Sequence, residues 1–108
     1  MKYLVLFLNL CLVLTAACSS KHDPPAPVKI IFDTDLGPDY DDVGALAILH
    51  AMADSGKAEI LATISSNKHE LVVPSIEVIN TWFGRPGLPV GAPAGAGAVL
   101  GSSQHWAD

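Results

Sequence analysis

Cysteine and positive charge are both scarce in this chain. Of its 108 residues two are cysteines, Cys11 and Cys18. Cys11 lies inside an apolar leader and would leave with it, so Cys18 has no internal partner and no disulfide framework braces the fold. Lysine and arginine number 6 against 11 acidic residues, a net charge of −5. That balance excludes a nucleic-acid backbone as partner, which needs clustered cations. No internal repeat is present. Gly95, Gly97 and Gly101 miss the spacing of a dinucleotide-binding turn, which wants the third glycine one place earlier.

What the chain does have begins with a leader. Met1-Lys2-Tyr3 precedes the apolar run Leu4 to Leu8 and Leu10 to Leu14, and small residues Thr15-Ala16-Ala17 follow. A short basic start, an apolar core and a small-residue end read as a signal peptide over residues 1–17, too short for a membrane span. Cys18 after Ala-Ala and before Ser-Ser resembles a bacterial lipoprotein cleavage site, with lipidation at Cys18. Thr15 stands where an aliphatic residue is more usual, which leaves plain cleavage after Ala17 open. Residues 18–27, rich in proline and polar residues, then serve as a tether. The protein is thus expected to be exported to the periplasm or cell envelope, with lipid as its contact to the membrane.

The mature part of about 90 residues is organised around one acidic stretch. Asp33, Asp35, Asp39, Asp41 and Asp42 fall within ten positions, between an apolar run and a helix-periodic one. Val28 to Phe32 reads as a short strand, so Asp33 and Asp35, two apart, leave its carboxyl end side by side. Gly37-Pro38 turns the chain, and Asp41-Asp42 open a helix carried by Val43, Leu46, Ala47 and His50. Carboxylates this close either raise one another's pKa or gather a cation, and a hard divalent ion such as calcium takes all-oxygen ligands. A favourable charge at a helix N-terminus explains Asp41 and Asp42 alone and leaves Asp33 and Asp35 without a reason.

The remaining elements follow in order. Helix residues to Ala53 end at Asp54-Ser55-Gly56, with Gly56 suited to the left-handed position. His50 lies two turns beyond the acidic cluster and reads as a packed or surface residue, not a ligand. Glu59 to Ile64 reads as a second strand buried on both faces, which with the first implies a right-handed crossover and a parallel sheet. Ligands of such sheets collect at the strands' carboxyl ends, where Ser65-Ser66-Asn67 also falls. Pro74, Ile76, Ile79 and Phe83 mark a second helix stopped by Gly84, with Val72, Val78 and Trp82 read as core. Leu88 to Gly91 gives a short third strand, and the Gly/Ala-rich run from Ala92 reads as a flexible loop.

Asp33-Thr-Asp35-x-Gly37 followed by Asp41-Asp42-x-x-Ala45-Leu46 resembles the amino-terminal signature of the inosine–uridine-preferring nucleoside hydrolases. In the commonest form the aspartate pair lies closer to the first two. Here two extra residues separate them, as in a branch of the same superfamily, and the alignment of Asp39 against Asp41 stays open. The resemblance runs from about Val28 to Ala92. It implies an α/β fold, a Rossmann-like open parallel sheet with flanking helices. It also implies calcium-dependent hydrolysis of the N-glycosidic bond of ribonucleosides. Calcium (Ca2+) would be held by Asp35 and Asp42, with Asp35 also accepting a proton from water. Asp41 and Asn67 would hold the ribose hydroxyls, and Asp33 would support the ligands from behind. Read from the residues alone, Asn67 serves equally well as a cap or turn residue.

Members of that family are longer and supply a further aspartate ligand, a carbonyl ligand and often a leaving-group histidine from later segments. Residues 28–108 are therefore expected to form a partial domain, an amino-terminal fragment or the product of a truncated gene. The partners implied are a nucleoside and, through the anchor, a membrane; a homo-oligomer is left open. The competing class is a lipid-anchored binding or vestigial protein without turnover. Two further motifs fare worse. An EF-hand loop from Asp33 fails at Gly37, Pro38 and Gly44. A haloacid-dehalogenase-like phosphatase shares the two aspartates but leaves Asp41-Asp42 unexplained.

Overall fold

The computed structural model describes residues 23–102 and 105; the leader, Cys18 and the last aromatic residue, Trp106, lie outside the described residues. Five elements follow one another: β1 (Val28–Thr34), α1 (Asp41–Asp54), β2 (Ala58–Ser65), α2 (Val72–Trp82) and β3 (Val90–Gly91). The three strands form one parallel sheet in the order β1-β2-β3. The architecture is α/β, a small open parallel sheet with two helices, consistent with a Rossmann-like arrangement. No helix among the described residues is long and apolar enough to cross a membrane.

Two successive crossovers of one hand, stepping in one direction, carry both helices to the same side of the sheet. The packing agrees. Leu46 and Leu49 of α1 meet Ile30 and Phe32 of β1, Ile60 of β2 and Ile79 of α2. Leu36, Val72 and Ile76 form a second cluster with Val43, Ile79 and Val90. Leu36, Leu46 and Ile76 are fully buried, and each such side chain contributes about 2 kcal/mol of apolar transfer.

Two expectations are corrected here. β2 is covered on one face only: Glu59 and Leu61 are exposed while Thr63 and Ser65 are buried. A register shift opposite Ile30/Ile31 leaves Leu61 without a partner on β1, and lets Ile60 and Thr63, three apart, both face the helices. Val78 and Trp82 are not core but 68% and 85% exposed. In α2 the inward stripe is Val72, Ile76 and Asn80, four residues apart, and Val78 and Trp82 fall on the other side of that helix.

His50 is fully buried and joins α1, α2 and β2 through a polar chain. Arg85 Nη1 lies 3.2 Å from His50 Nδ1, and a guanidinium has no acceptor, so Nδ1 accepts and Nε2 carries the proton. Nε2 then donates to Asn80 Oδ1 at 3.0 Å, and Asn80 Nδ2 donates to Thr63 Oγ1 at 3.1 Å. The ring stacks on Phe83 with centroids 4.6 Å apart. Arg85 is itself paired with Asp54. Burial, with Arg85 adding to it, holds the His50 pKa below its ordinary 6.5, against the opposing pull of Asn80 and Asp54.

A depressed histidine means that the unfolded chain binds the proton first. The contribution of His50 is therefore complete above about pH 6.5 and is lost as pH falls toward its folded value. The urea midpoint should fall between pH 7 and pH 5 by more in the native chain than in His50→Gln. Equal losses in the two would place the acid sensitivity elsewhere.

Candidate functional site

The carboxyl end of β1 is fixed from below. Thr34, the last strand residue, is buried and its carbonyl accepts from Ser66 N–H at 2.9 Å. Its Oγ1 accepts from Leu36 N–H at 3.1 Å, which curls the chain as it leaves the strand. Leu36 drops into the cluster with Val72 and Ile76. With Thr34 and Leu36 turned inward, Asp33 and Asp35 are exposed, as alternation requires. Asp33 lies within β1, opposite Ile64.

Helix α1 starts at Asp41 with Tyr40 in the cap position, and no side chain caps it. Its first turn carries Asp41 and Asp42, beside the partial positive charge of the free N–H groups. One oxygen each from Asp39, Asp41 and Asp42 lies within 4.8 Å of the others. The carboxylates perturb one another. A hydrogen bond with Asp41, and then the charge of that neighbour, raises the pKa of Asp39, and the same bond lowers that of Asp41. The two carboxylates are thus pushed in opposite directions, Asp39 up and Asp41 down. Partial burial raises Asp42, opposed by a hydrogen bond from Thr34 and reinforced by one with Asp35.

Of the residues expected to act together, Asp35, Asp41 and Asp42 therefore lie in one interacting group, which Asp39 joins. Asp33 is not among the charges that shift the others.

Asn67 sits beside this group and is 1% exposed. Nδ2 donates to the Asp35 carbonyl at 3.0 Å and to the Leu100 carbonyl at 2.8 Å. Oδ1 accepts from the N–H groups of His69 and Leu100, both at 3.0 Å. An amide offers two donors and two acceptor positions, so the side chain is saturated by backbone. Ser65 secures the turn around it, accepting from Asn67 N–H at 3.1 Å and donating to the Asn67 carbonyl at 2.6 Å. A Cβ at Gly37 would lie 3.3 Å from Asn67 Nδ2, so glycine lets the loop come close.

The Gly/Ala-rich segment, expected to be a flexible loop, is instead strapped across this edge. Ala98 bridges to Asn67, Lys68 N–H donates to the Ala98 carbonyl at 2.8 Å, and Lys68 Nζ reaches the Gly95 carbonyl at 2.7 Å. Asn67, His69, Glu70 and Val73 line a depression of about 230 Å³ next to it. Thr34 and Leu100 are the participants that the sequence did not single out. Asp39 was visible within the acidic run, with its alignment against Asp41 left open.

Compared with models of protein families, with curated proteins and with solved structures, the chain matches none.

Proposed function

We propose that this chain belongs to a calcium-dependent hydrolase of ribonucleosides, cleaving the N-glycosidic bond to release base and ribose, on a nucleoside hydrolase-type domain. The observation that supports it is the gathering of Asp39, Asp41 and Asp42, with Asp35 in contact with Asp42, at the carboxyl end of β1. Two oxygens that share one calcium lie at most about 5 Å apart, twice the usual bond length. The 4.8 Å spread of Asp39, Asp41 and Asp42 meets that limit, while Asp35 lies outside that triad and is linked to it through Asp42. The donors are all oxygen, as a hard ion requires.

Asp35 and Asp42 are the residues assigned to hold the ion, with Asp41 toward the ribose. Calcium, when bound, supplies positive charge that neutralises the cluster and acidifies a bound water. Asp35 would accept a proton from the attacking water, a carboxylate being able to serve as general base. Neighbouring carboxylates stabilise the positive charge that develops on the sugar as the base departs. Asp33 supports the arrangement from the strand. Cys18 carries the lipid that holds the exported protein at the cell envelope.

Ribose released from inosine and uridine tests this reading, with calcium present and after chelation. Turnover that chelation abolishes and calcium restores is expected, with affinity for calcium falling in acid because Asp39 and Asp42, both raised, take up protons first. Calcium binding without ribose release favours the second reading, a binding or vestigial protein. The saturated Asn67 amide speaks for that alternative, since it keeps no hydrogen-bonding position for a ribose hydroxyl unless the 98–100 segment lifts.

A further inference from the structure

Among the described residues His50 is the only ionisable side chain that is buried. Both ring nitrogens are engaged: Nε2 donates to Asn80 Oδ1, and Nδ1 accepts from Arg85 Nη1. Arg85 comes from the turn that follows α2 and pins that turn at several points. Its Nη1 also donates to the Phe83 carbonyl at 3.2 Å, and its Nη2 pairs with Asp54, the last residue of α1. Its backbone N–H donates to the Asn80 carbonyl at 2.8 Å, and its carbonyl accepts from Leu88 N–H at 3.2 Å. The next residue, Pro89, accepts from Thr63 N–H at 2.9 Å, where β3 begins to approach β2. The charged groups that bear on His50 are Arg85, from this turn, and Asp54, from α1. Its other neighbours do not ionise: Phe83 on the ring face, Asn80 of α2 and, through it, Thr63 of β2.

This arrangement accepts one proton on the ring. A second, on Nδ1, turns the acceptor into a donor and sets it 3.2 Å from a guanidinium that has only donors and carries the same charge. The remedy lies one helical turn away. Asp54 follows His50 by four residues on α1, a spacing that places two side chains on one face. Its carboxylate already touches the other terminal nitrogen of the same guanidinium. We propose that His50, Arg85 and Asp54 form an acid-operated latch on the turn after α2. When Nδ1 takes up a proton from solvent, Asp54 exchanges Arg85 for the ring, and Arg85 swings out and gives up the Phe83 carbonyl. The 83–88 turn then loses its tie to α1, while Asn80 keeps Nε2 and the β1–β2 ladder is untouched. β3 is two residues long, so the turn leading into it is where the release is felt. The latch is closed at neutral pH and opens below 6.5, since burial and Arg85 hold His50 under that ordinary value. Acid unfolding of the whole domain would take the turn and the core together; the latch opens first.

Amide exchange followed by NMR on the full chain, with the His50 ring resonances titrated in the same samples, tests the latch. The reporters are the N–H groups of Arg85 and Leu88 in the turn, and the reference is Ser66 N–H, which donates to the Thr34 carbonyl across β1 and β2. As the ring titrates, the protection factors of Arg85 and Leu88 should fall at least about tenfold relative to Ser66, the mark of a local opening. Arg85→Gln replaces a pure donor by an amide that can also accept, so it can face either state of the ring. Its turn should be insensitive to pH over the same range. Asp54→Asn removes the anion that receives the ring proton and should move the opening to lower pH. Both substitutions fall on partly exposed side chains, and circular dichroism checks that each variant keeps its fold. A turn and a Ser66 that lose protection together overturn the proposal, as does a ring that stays neutral until the domain unfolds. So does a ring that titrates with the turn unmoved, an Arg85→Gln turn that still opens in acid, or an opening that Asp54→Asn leaves at its native pH.

Discussion

Asp42→Ala is expected to bind calcium at least about 100-fold more weakly than the native chain, because the proposed calcium site loses one charged oxygen ligand. Calcium at a hundredfold excess over its dissociation constant should stabilise the native protein by about 2.7 kcal/mol and leave the variant unmoved. Thermal melting with and without calcium reads this directly, and calorimetric titration gives the affinities. The calcium-free proteins should differ in the opposite sense. Asp42 has its pKa raised in the folded state, chiefly by burial and with the Asp35 carboxylate adding to it. A folded state that holds this proton more tightly than the unfolded chain is favoured by acid and loses stability as pH rises past 3.8 toward the raised value. At neutral pH the ionised Asp42 is therefore a burden that a cation would relieve. Asp42→Asn should be no less stable than the native chain without calcium. A variant that keeps native affinity takes Asp42 out of the site, whatever its stability.

The opposed signs of those two effects explain why the acidic site was the most legible part of the sequence. Asp41 and Asp42 at a helix start have an ordinary electrostatic use, but Asp39 and Asp42 both end with raised pKa values. Local stability does not account for such a group, and the excess was visible as composition alone. The apolar run Val28 to Phe32 and the spacing of Val43, Leu46, Ala47 and His50 likewise foretold a strand and a helix. Other features depended on contacts between distant residues. Nothing in Glu59 to Ile64 announces that Leu61 is skipped by β1, and an apolar run reads alike whether one face or two are covered. Trp82 misled for the same reason: it shares spacing with Val78 as well as with Ile79, and which stripe faces inward depends on where β2 lies. His50 was read as a packed or surface residue, not a ligand, from its distance to the aspartates. Its partners, Asn80 and Arg85, are 30 and 35 residues away.

Asn67→Ala will destabilise the domain by about 3 kcal/mol, a large share of what a fold of this size possesses. The loss is not mainly one of packing. Removing the amide leaves the carbonyls of Asp35 and Leu100 without a donor, and the N–H groups of His69 and Leu100 without an acceptor. A lost hydrogen bond is worth about 1 kcal/mol, more where water cannot enter. Leu100 is 39% exposed and water can repair its two groups in part; Asp35 is likewise exposed and His69 half-buried, so the loss stays below the sum of four fully buried bonds. Urea unfolding measures the total. Amide exchange at Leu100 and His69 should accelerate beyond the global change, because both groups lose their acceptor outright. Asn67→Asp separates the two halves of the interaction. Its carboxylate still accepts from His69 and Leu100, but it sets negative charge against the Asp35 and Leu100 carbonyls and near an acidic cluster. It should be no more stable than the alanine variant. If alanine costs less than about 0.5 kcal/mol, within the range of an ordinary surface substitution, the strap over the strand ends is loose. The amide would then be free to turn toward a ligand, which is the state that a ribose-binding role demands.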